Sequence, residues 1–236
     1  MHSLSMLYAD FSHLHKEGVK DAGEVYQWRK EEVSPFNDLL LSWDALRPKT
    51  GSYLFQVRIQ VDGVWSPWLN YGEWSSSTQF SFSESFPETF AKVFQDTAET
   101  SDGKLATAFE VKVEAKDGAS LQSLTNLYVC TSELSRFTQS MPTALTNVQV
   151  PGVAGQSQMI LNHPRGKDMC SPTSTSTVIN FLLGQGTIDP LLFASRIKDE
   201  KFDIYGNWAF NVAEANNLLH GKYTCHIERL NSFDAL

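Results

Sequence analysis

Between Phe36 and Ser132 apolar and polar residues alternate. Tyr53, Phe55, Val57, Ile59 and Val61 occupy every second position, with Leu54, Gln56, Arg58 and Gln60 between them. Successive side chains of a strand point to opposite faces, so this period of two predicts a strand with one face buried. Phe109, Val111, Val113 and Ala115 repeat the pattern against Glu110, Lys112 and Glu114. Shorter runs at 37–43, 80–82 and 124–130 have strand composition, and Asp62-Gly63 and Asp117-Gly118 are turn dipeptides. Several short strands with turn signals and little helical periodicity predict an all-β sandwich over residues 36–135. Jelly-roll and immunoglobulin-like strand orders both remain open.

The pattern then changes. Residues 136–149 carry Ser140, Pro142 and Asn147 without periodicity and read as a linker. Residues 150–236 read as a second domain. Ser171 as cap, Pro172 in the first turn and Gly184 after the last turn predict a helix over 171–183. Asp189-Pro190 predicts a second helix through Ile197. Asn207 caps a third, which ends at His220-Gly221, and 223–230 reads as a strand. Residues 1–35 are polar and read as a solvated segment. His13 and His15, with Asp10 and Glu17, are metal-ligating types, but no scaffold is evident to hold them, and no metal or cofactor is expected.

Composition narrows the function classes. With 236 residues and 42% apolar content the chain can bury a core. A net charge of −8 disfavours nucleic acid or an anionic membrane as partner. No apolar run approaches the roughly 20 residues of a membrane span, and the first residues lack the basic and apolar stretches of a secretory signal. The compartment is not legible. Cys130, Cys170 and Cys225 are odd in number and widely spaced, which fits neither a disulfide framework nor a zinc site.

Cys170 is the residue with candidate chemistry. It stands where the predicted helix begins, and the open N–H groups of a helix start favour an anion such as a thiolate. The same N–H groups can hold the oxyanion of an acyl intermediate. The competing reading, a small buried hydrophobe, fits poorly with the polar run Cys170-Ser171-Pro172-Thr173-Ser174-Thr175-Ser176. That run resembles the nucleophile segment of bacterial C39-like, papain-like cysteine peptidases. Ser157-Gln158-Met159 is similar to that family's SQM segment, and Gly206-Asn207-Trp208-Ala209-Phe210-Asn211 to its GNWPFN segment, with Ala209 where proline is usual. Ser42-Trp43-Asp44-Ala45, Trp65-Ser66-Pro67-Trp68 with Gly72 and Trp74, and Asp96-Thr97 are looser matches to the sandwich that often precedes the peptidase domain.

The resemblance implies a papain-like α+β domain after the sandwich, and a peptide or protein substrate. It implies Cys170 as nucleophile and Gln158 as an oxyanion donor. Asn207 and Trp208 would shape the cleft or fix the helix start. It also implies a catalytic His and Asp on later strands. Neither motif occurs, and of the two later histidines His220 and His226 neither sits in a matching segment. The chain is therefore expected to stop before those strands, leaving the peptidase domain incomplete and inactive as it stands. A transferase or amidase would use the same cysteine. The alternative from another class is a binding module with a degenerate peptidase fold, in which Trp65, Trp68 and Trp74 form an aromatic platform for a glycan. The competing reading of those indoles is core packing.

Overall fold

In the computed structural model, residues 11–86, 89–139, 149–184 and 186–232 are described. Eleven strands follow one another among them: β1 (Ser12–Gly18), β2 (Val25–Lys30), β3 (Asp38–Ala45), β4 (Ser52–Val61), β5 (Val64–Trp65), β6 (Leu69–Ser75), β7 (Gln79–Ser85), β8 (Ala91–Gln95), β9 (Thr97–Thr100), β10 (Ala108–Lys116) and β11 (Leu124–Ser132). Three helices come after them: α1 (Cys170–Leu183), α2 (Pro190–Ile197) and α3 (Trp208–Leu219).

The expected sandwich followed by an α+β domain is not what forms. The strands make one antiparallel sheet in the order β1-β11-β3-β9-β8-β7-β6-β4-β10-β2, with β5 on β4, and the three helices pack with it. The sheet curls until its ends nearly meet. Tyr26 on β2 donates a hydrogen bond to Glu17 on β1 at 2.9 Å, and the His15 ring lies 5.3 Å from that of Phe109. Alternation shows which face of a strand is buried but not which strand is its neighbour, and strand twist lets one long sheet enclose its own core. Two narrow joins make the sheet continuous. β3 pairs with β9 only at Asp38 and Leu39, and β6 with β7 only over Gly72, Glu73 and Trp74.

Beyond these joins the edge of β3 lacks a strand partner, and side chains satisfy it instead. Leu41 N–H donates to the Tyr71 hydroxyl at 3.0 Å, and the Trp43 carbonyl accepts from Asn216 of α3 at 2.9 Å. A buried peptide group left unpaired costs about as much as a lost hydrogen bond, so these contacts make the opening tolerable. Phe210 of α3 closes it. Its ring stacks on Trp74 at 6.0 Å, meets Trp43 edge-on at 6.2 Å, and packs over Gly72.

The other side of β3 is covered as well, so all eight of its residues are buried. Residues 223–230, expected as a strand, run extended without a ladder partner. Ile227 N–H donates to the Ser42 hydroxyl at 3.1 Å, and Arg229 forms two bonds to the fully buried Asp38 carboxylate at 2.7 and 3.1 Å. This stretch is a strap tied down by side chains.

Residues 12–18 and 25–30, read as part of a solvated segment, are β1 and β2. Their sequences, SHLHKEG and VYQWRK, bury few large apolar groups, so periodicity gave little signal. The linker expected at 136–149 falls largely outside the described residues. The turn dipeptides behave as expected: Asp62 and Gly63, with φ of +50° and +79°, close the β4–β5 hairpin, and Asp117 and Gly118, with +52° and +82°, make a tight turn after β10.

Salt bridges tie helices to sheet. Glu214 of α3 is fully buried and paired with Arg47 at 3.3 Å and Arg196 at 3.0 Å. Arg47 also donates to the Ser75 and Arg196 carbonyls and stacks over Trp74 at 3.6 Å. Asp199 is equally buried, accepting from the Ser81 hydroxyl and from the backbone of Lys201 and Phe202.

Candidate functional site

α1 begins at Cys170 itself, one residue before the predicted start. Met169 takes the cap position without a side-chain cap bond, so Ser171 lies inside the helix and does not cap it. The first intrahelical bond of the turn is Thr173 N–H to the Met169 carbonyl at 3.1 Å. Pro172 has no N–H, so the amides of Cys170 and Ser171 remain the turn's open donors.

Three hydroxyls that would weaken a helix by competing with its backbone instead bond back along it. Thr173 and Thr177 donate to the carbonyls of Met169 and Thr173, four residues back, at 2.7 and 2.8 Å; Ser176 donates to Thr173 at 3.0 Å. Gly184 ends the helix with φ of +65°. Cys170 is exposed and free, whereas Cys130 is buried and Cys225 half-buried. Burial raises the Cys225 pKa, with the nearby Asp44 charge adding to it.

Gln158 opens a short 3-10 turn, Gln158–Ile160, capped by the Ser157 hydroxyl. Its side-chain amide donates to the Lys167 carbonyl, three residues before Cys170. An amide nitrogen carries two hydrogens, so this bond leaves a second N–H. The turn presses on Gly166, where a Cβ would stand 2.9 Å from the Gln158 carbonyl oxygen. Gln158 is thus built into the loop that presents Cys170. The same loop is clamped from its other side. Arg165 bonds Asp168 at 3.1 Å, reaches the Asp203 carboxylate and carbonyl at 2.8 Å each, and lies 5.0 Å over the Tyr205 ring. The Asp168 and Asp203 contacts raise the Arg165 pKa. The Asp203 carboxyl is held low, first by its bond to Lys198.

Asn207 and Trp208 part company. Asn207 is buried and caps α3, accepting from Phe210 N–H at 3.2 Å while its amide faces Asp199 at 3.4 Å. Trp208 is 45% exposed and lines a cleft of about 410 Å³ shared with Gln95, Asp96, Arg165, Asp168 and Tyr205. Asp96 accepts the Trp208 N–H at 2.8 Å, which places a carboxylate at the positive end of α3. Burial raises the Asp96 pKa, and the Trp208 bond opposes the rise.

No protein-family model, curated protein or solved structure matches the chain. The site is therefore read from its own geometry. Among the described residues no histidine is hydrogen-bonded to Cys170. His163 accepts from Arg165 N–H at 3.1 Å, and His226 stacks on Tyr128 at 5.3 Å, beside Glu228. Also among the described residues, no three His, Cys, Asp or Glu side chains group as a metal site, and no helix is long and apolar enough to cross a membrane.

The three tryptophans of the expected platform do not form one surface. Trp74 is fully buried between Phe210 and Arg47. Trp65 and Trp68 are half-buried on the outer face of β4 and β10, and cations already attend both rings: Arg29 and Arg58 at Trp65, Arg58 and Lys112 at Trp68, all within 5.0 Å. The cleft at Asp96 and Arg165 was not anticipated as a site. Asp96-Thr97 was legible only as a motif, and nothing in the spacing shows that the β8–β9 turn meets the start of α3.

Proposed function

We propose that this chain carries the nucleophile side of a cysteine-peptidase site of the C39-like, papain-type kind. The observation that supports it is the exposed Cys170 thiol at the first position of α1, beside open backbone amides and following a loop whose Arg165 and Asp168 line a cleft. In this reading the Cys170 thiolate attacks a peptide carbonyl carbon. The carbonyl π electrons move to oxygen, and the Cys170 N–H with the second Gln158 N–H stabilises that oxyanion. Collapse expels the amine, which takes up a proton, and leaves a thioester that water hydrolyses. The reading requires an imidazole to shuttle that proton. None of the described histidines is bonded to Cys170, so the reading leaves the imidazole unassigned.

The test is the alkylation rate of each cysteine with iodoacetamide, followed by mass spectrometry of the peptides at neutral pH. Cys170 is expected to react severalfold faster than free cysteine, with Cys225 and Cys130 slower in that order of burial. A Cys170 rate at or below that of free cysteine overturns the proposal. The lack of a bonded histidine favours one second reading, a non-catalytic peptide-binding module on the same scaffold. Fast alkylation combined with saturable peptide binding, but no cleavage after a histidine-bearing partner or longer chain is supplied, would favour it.

A further inference from the structure

The loop that leads into α1 brings a carboxylate close to the thiol. Asp168 stands two residues before Cys170 and one before Met169, the cap residue of α1. Consecutive Cα atoms are about 3.8 Å apart, so the Cα atoms of Asp168 and Cys170 lie within about 8 Å of each other. A carboxylate at that range opposes a thiolate by direct repulsion. It also competes for the same partner, because the open amides of Cys170 and Ser171 attract any nearby anion and their pull fades beyond the first turn.

Arg165 takes Asp168 out of that competition. Its Nε donates to Asp168 Oδ2 at 3.1 Å, its Nη1 pairs with Asp203 Oδ2 at 2.8 Å, and its Nη2 donates to the Asp203 carbonyl at 2.8 Å. The Asp168 N–H closes the turn on the Arg165 carbonyl at 2.9 Å. The far anchor is part of the sheet. Glu200 N–H donates to the Gln79 carbonyl of β7 at 3.0 Å, and the buried Asp199 accepts from the Ser81 hydroxyl. Asp203 does not depend on Arg165 alone, since Lys198 also holds it at 2.9 Å. Asp168 does: among the described residues Arg165 is the one cation within ion-pair distance of it. The other charged or titratable groups of this neighbourhood are Lys167 and His163 on the loop, the latter accepting the Arg165 N–H at 3.1 Å, and Lys198, Glu200 and Tyr205 on the facing turn.

We propose that Arg165 is a positioning residue for the Cys170 thiolate: it neutralises Asp168 and holds that carboxylate off the first turn of α1. The proposal rests on the peptidase reading only for its purpose, a thiol kept ready to react. The effect itself is a difference between variants and is measured without a substrate.

The experiment is the pH profile of Cys170 alkylation by iodoacetamide, read by mass spectrometry of the Cys170 peptide in the full chain at low salt. Arg165→Gln unmasks one negative charge about 8 Å from the thiol. At an effective dielectric constant of about 40–80 this is expected to move the midpoint of the profile up by about half a pH unit, which is about a threefold lower rate below the midpoint. Adding Asp168→Asn to Arg165→Gln is expected to return the midpoint to the parent's. Salt at about 1 M, which shortens the screening length to about 3 Å, is expected to close the gap between Arg165→Gln and the parent. An Arg165→Gln profile that stays on the parent's, or a shift that neither Asp168→Asn nor salt reverses, would overturn the proposal; the second outcome would make Arg165 a structural tie alone. Should Arg165→Gln fail to fold, Asp168→Asn by itself decides. It is expected to lower the midpoint, and an unmoved or raised midpoint would overturn the proposal. A parent Cys170 no faster than free cysteine, with midpoints that still move as expected, would remove the peptidase reading and leave the Arg165 role standing; a fast Cys170 with unmoved midpoints would do the reverse.

Discussion

Phe210→Ala removes the ring that fills the opening between β3 and β6. Phe210 is 1% exposed and touches Trp43, Trp74 and the space above Gly72. Deleting a buried phenylalanine ring costs about 3–5 kcal/mol, and the rigid backbone around Gly72 and Trp74 leaves little scope for collapse, so about 4 kcal/mol is expected. A domain's whole stability is about 5–15 kcal/mol, which makes this a large fraction of it. With a urea m-value of about 3 kcal/mol/M, the midpoint should fall by about 1.3 M. The assay is urea unfolding followed by two probes at once, tryptophan fluorescence for the sheet and far-ultraviolet circular dichroism for the helices. Because α3 and the sheet share one core, both midpoints should coincide in the parent and fall together in the variant. A circular-dichroism midpoint that falls while the fluorescence midpoint stays would refute the shared core and make the helices an independent unit.

Two other perturbations test buried charge. Glu214→Ala strips Arg47 and Arg196 of their shared partner, and Arg47, 11% exposed, would keep a buried charge without it. Thermal melts should show a loss of about 3–5 kcal/mol. Glu214→Gln should lose clearly less, because burial already raises the Glu214 pKa and the amide keeps an acceptor; equal losses would refute the assignment. His15 is the acid-sensitive group at the seam, its pKa lowered to about 4, chiefly by burial and then by the Lys30 charge. A lowered value means the unfolded chain binds the proton first. The contribution is therefore present above the ordinary histidine value of 6.5 and lost as pH falls toward 4. His15→Gln should flatten the fall in melting temperature across that window, and an unchanged slope would remove His15 from the account.

Legibility followed the range of the interaction. Local signals were readable: the alternation in β4 and β10, the Asp-Gly turns, Asp189 capping α2, Asn207 capping α3, and Gly184 closing α1. Each depends on residues within a few positions of one another. What the sequence did not yield was long-range. The pairing of β3 with β9 and of β6 with β7, which turns two candidate layers into one sheet, rests on five residue pairs. Periodicity does not encode them. The 223–230 stretch has strand composition but bonds to the side chains of Ser42, Cys130 and Asn216, so it completes no ladder. At the site, the cysteine and its helix were legible. Arg165 and Tyr205 were not, because their value comes from a loop more than 30 residues away in sequence, as the 38-residue span from Arg165 to the Asp203 carbonyl shows.

The strap over β3 sets a timetable for synthesis. Asp38 waits for Arg229, which is 191 residues further along. At about 5–20 residues per second, the ribosome needs about 10–40 s to deliver it. Through that interval Leu40, on the strap side of β3 with Asp38 and Ser42, lacks its outer cover, and the unfinished edge of β3 has neither Asn216 nor the strap against it. A nascent chain in that condition is a client for chaperones, and slow or interrupted translation past α2 should raise its aggregation before it affects any property of the finished protein.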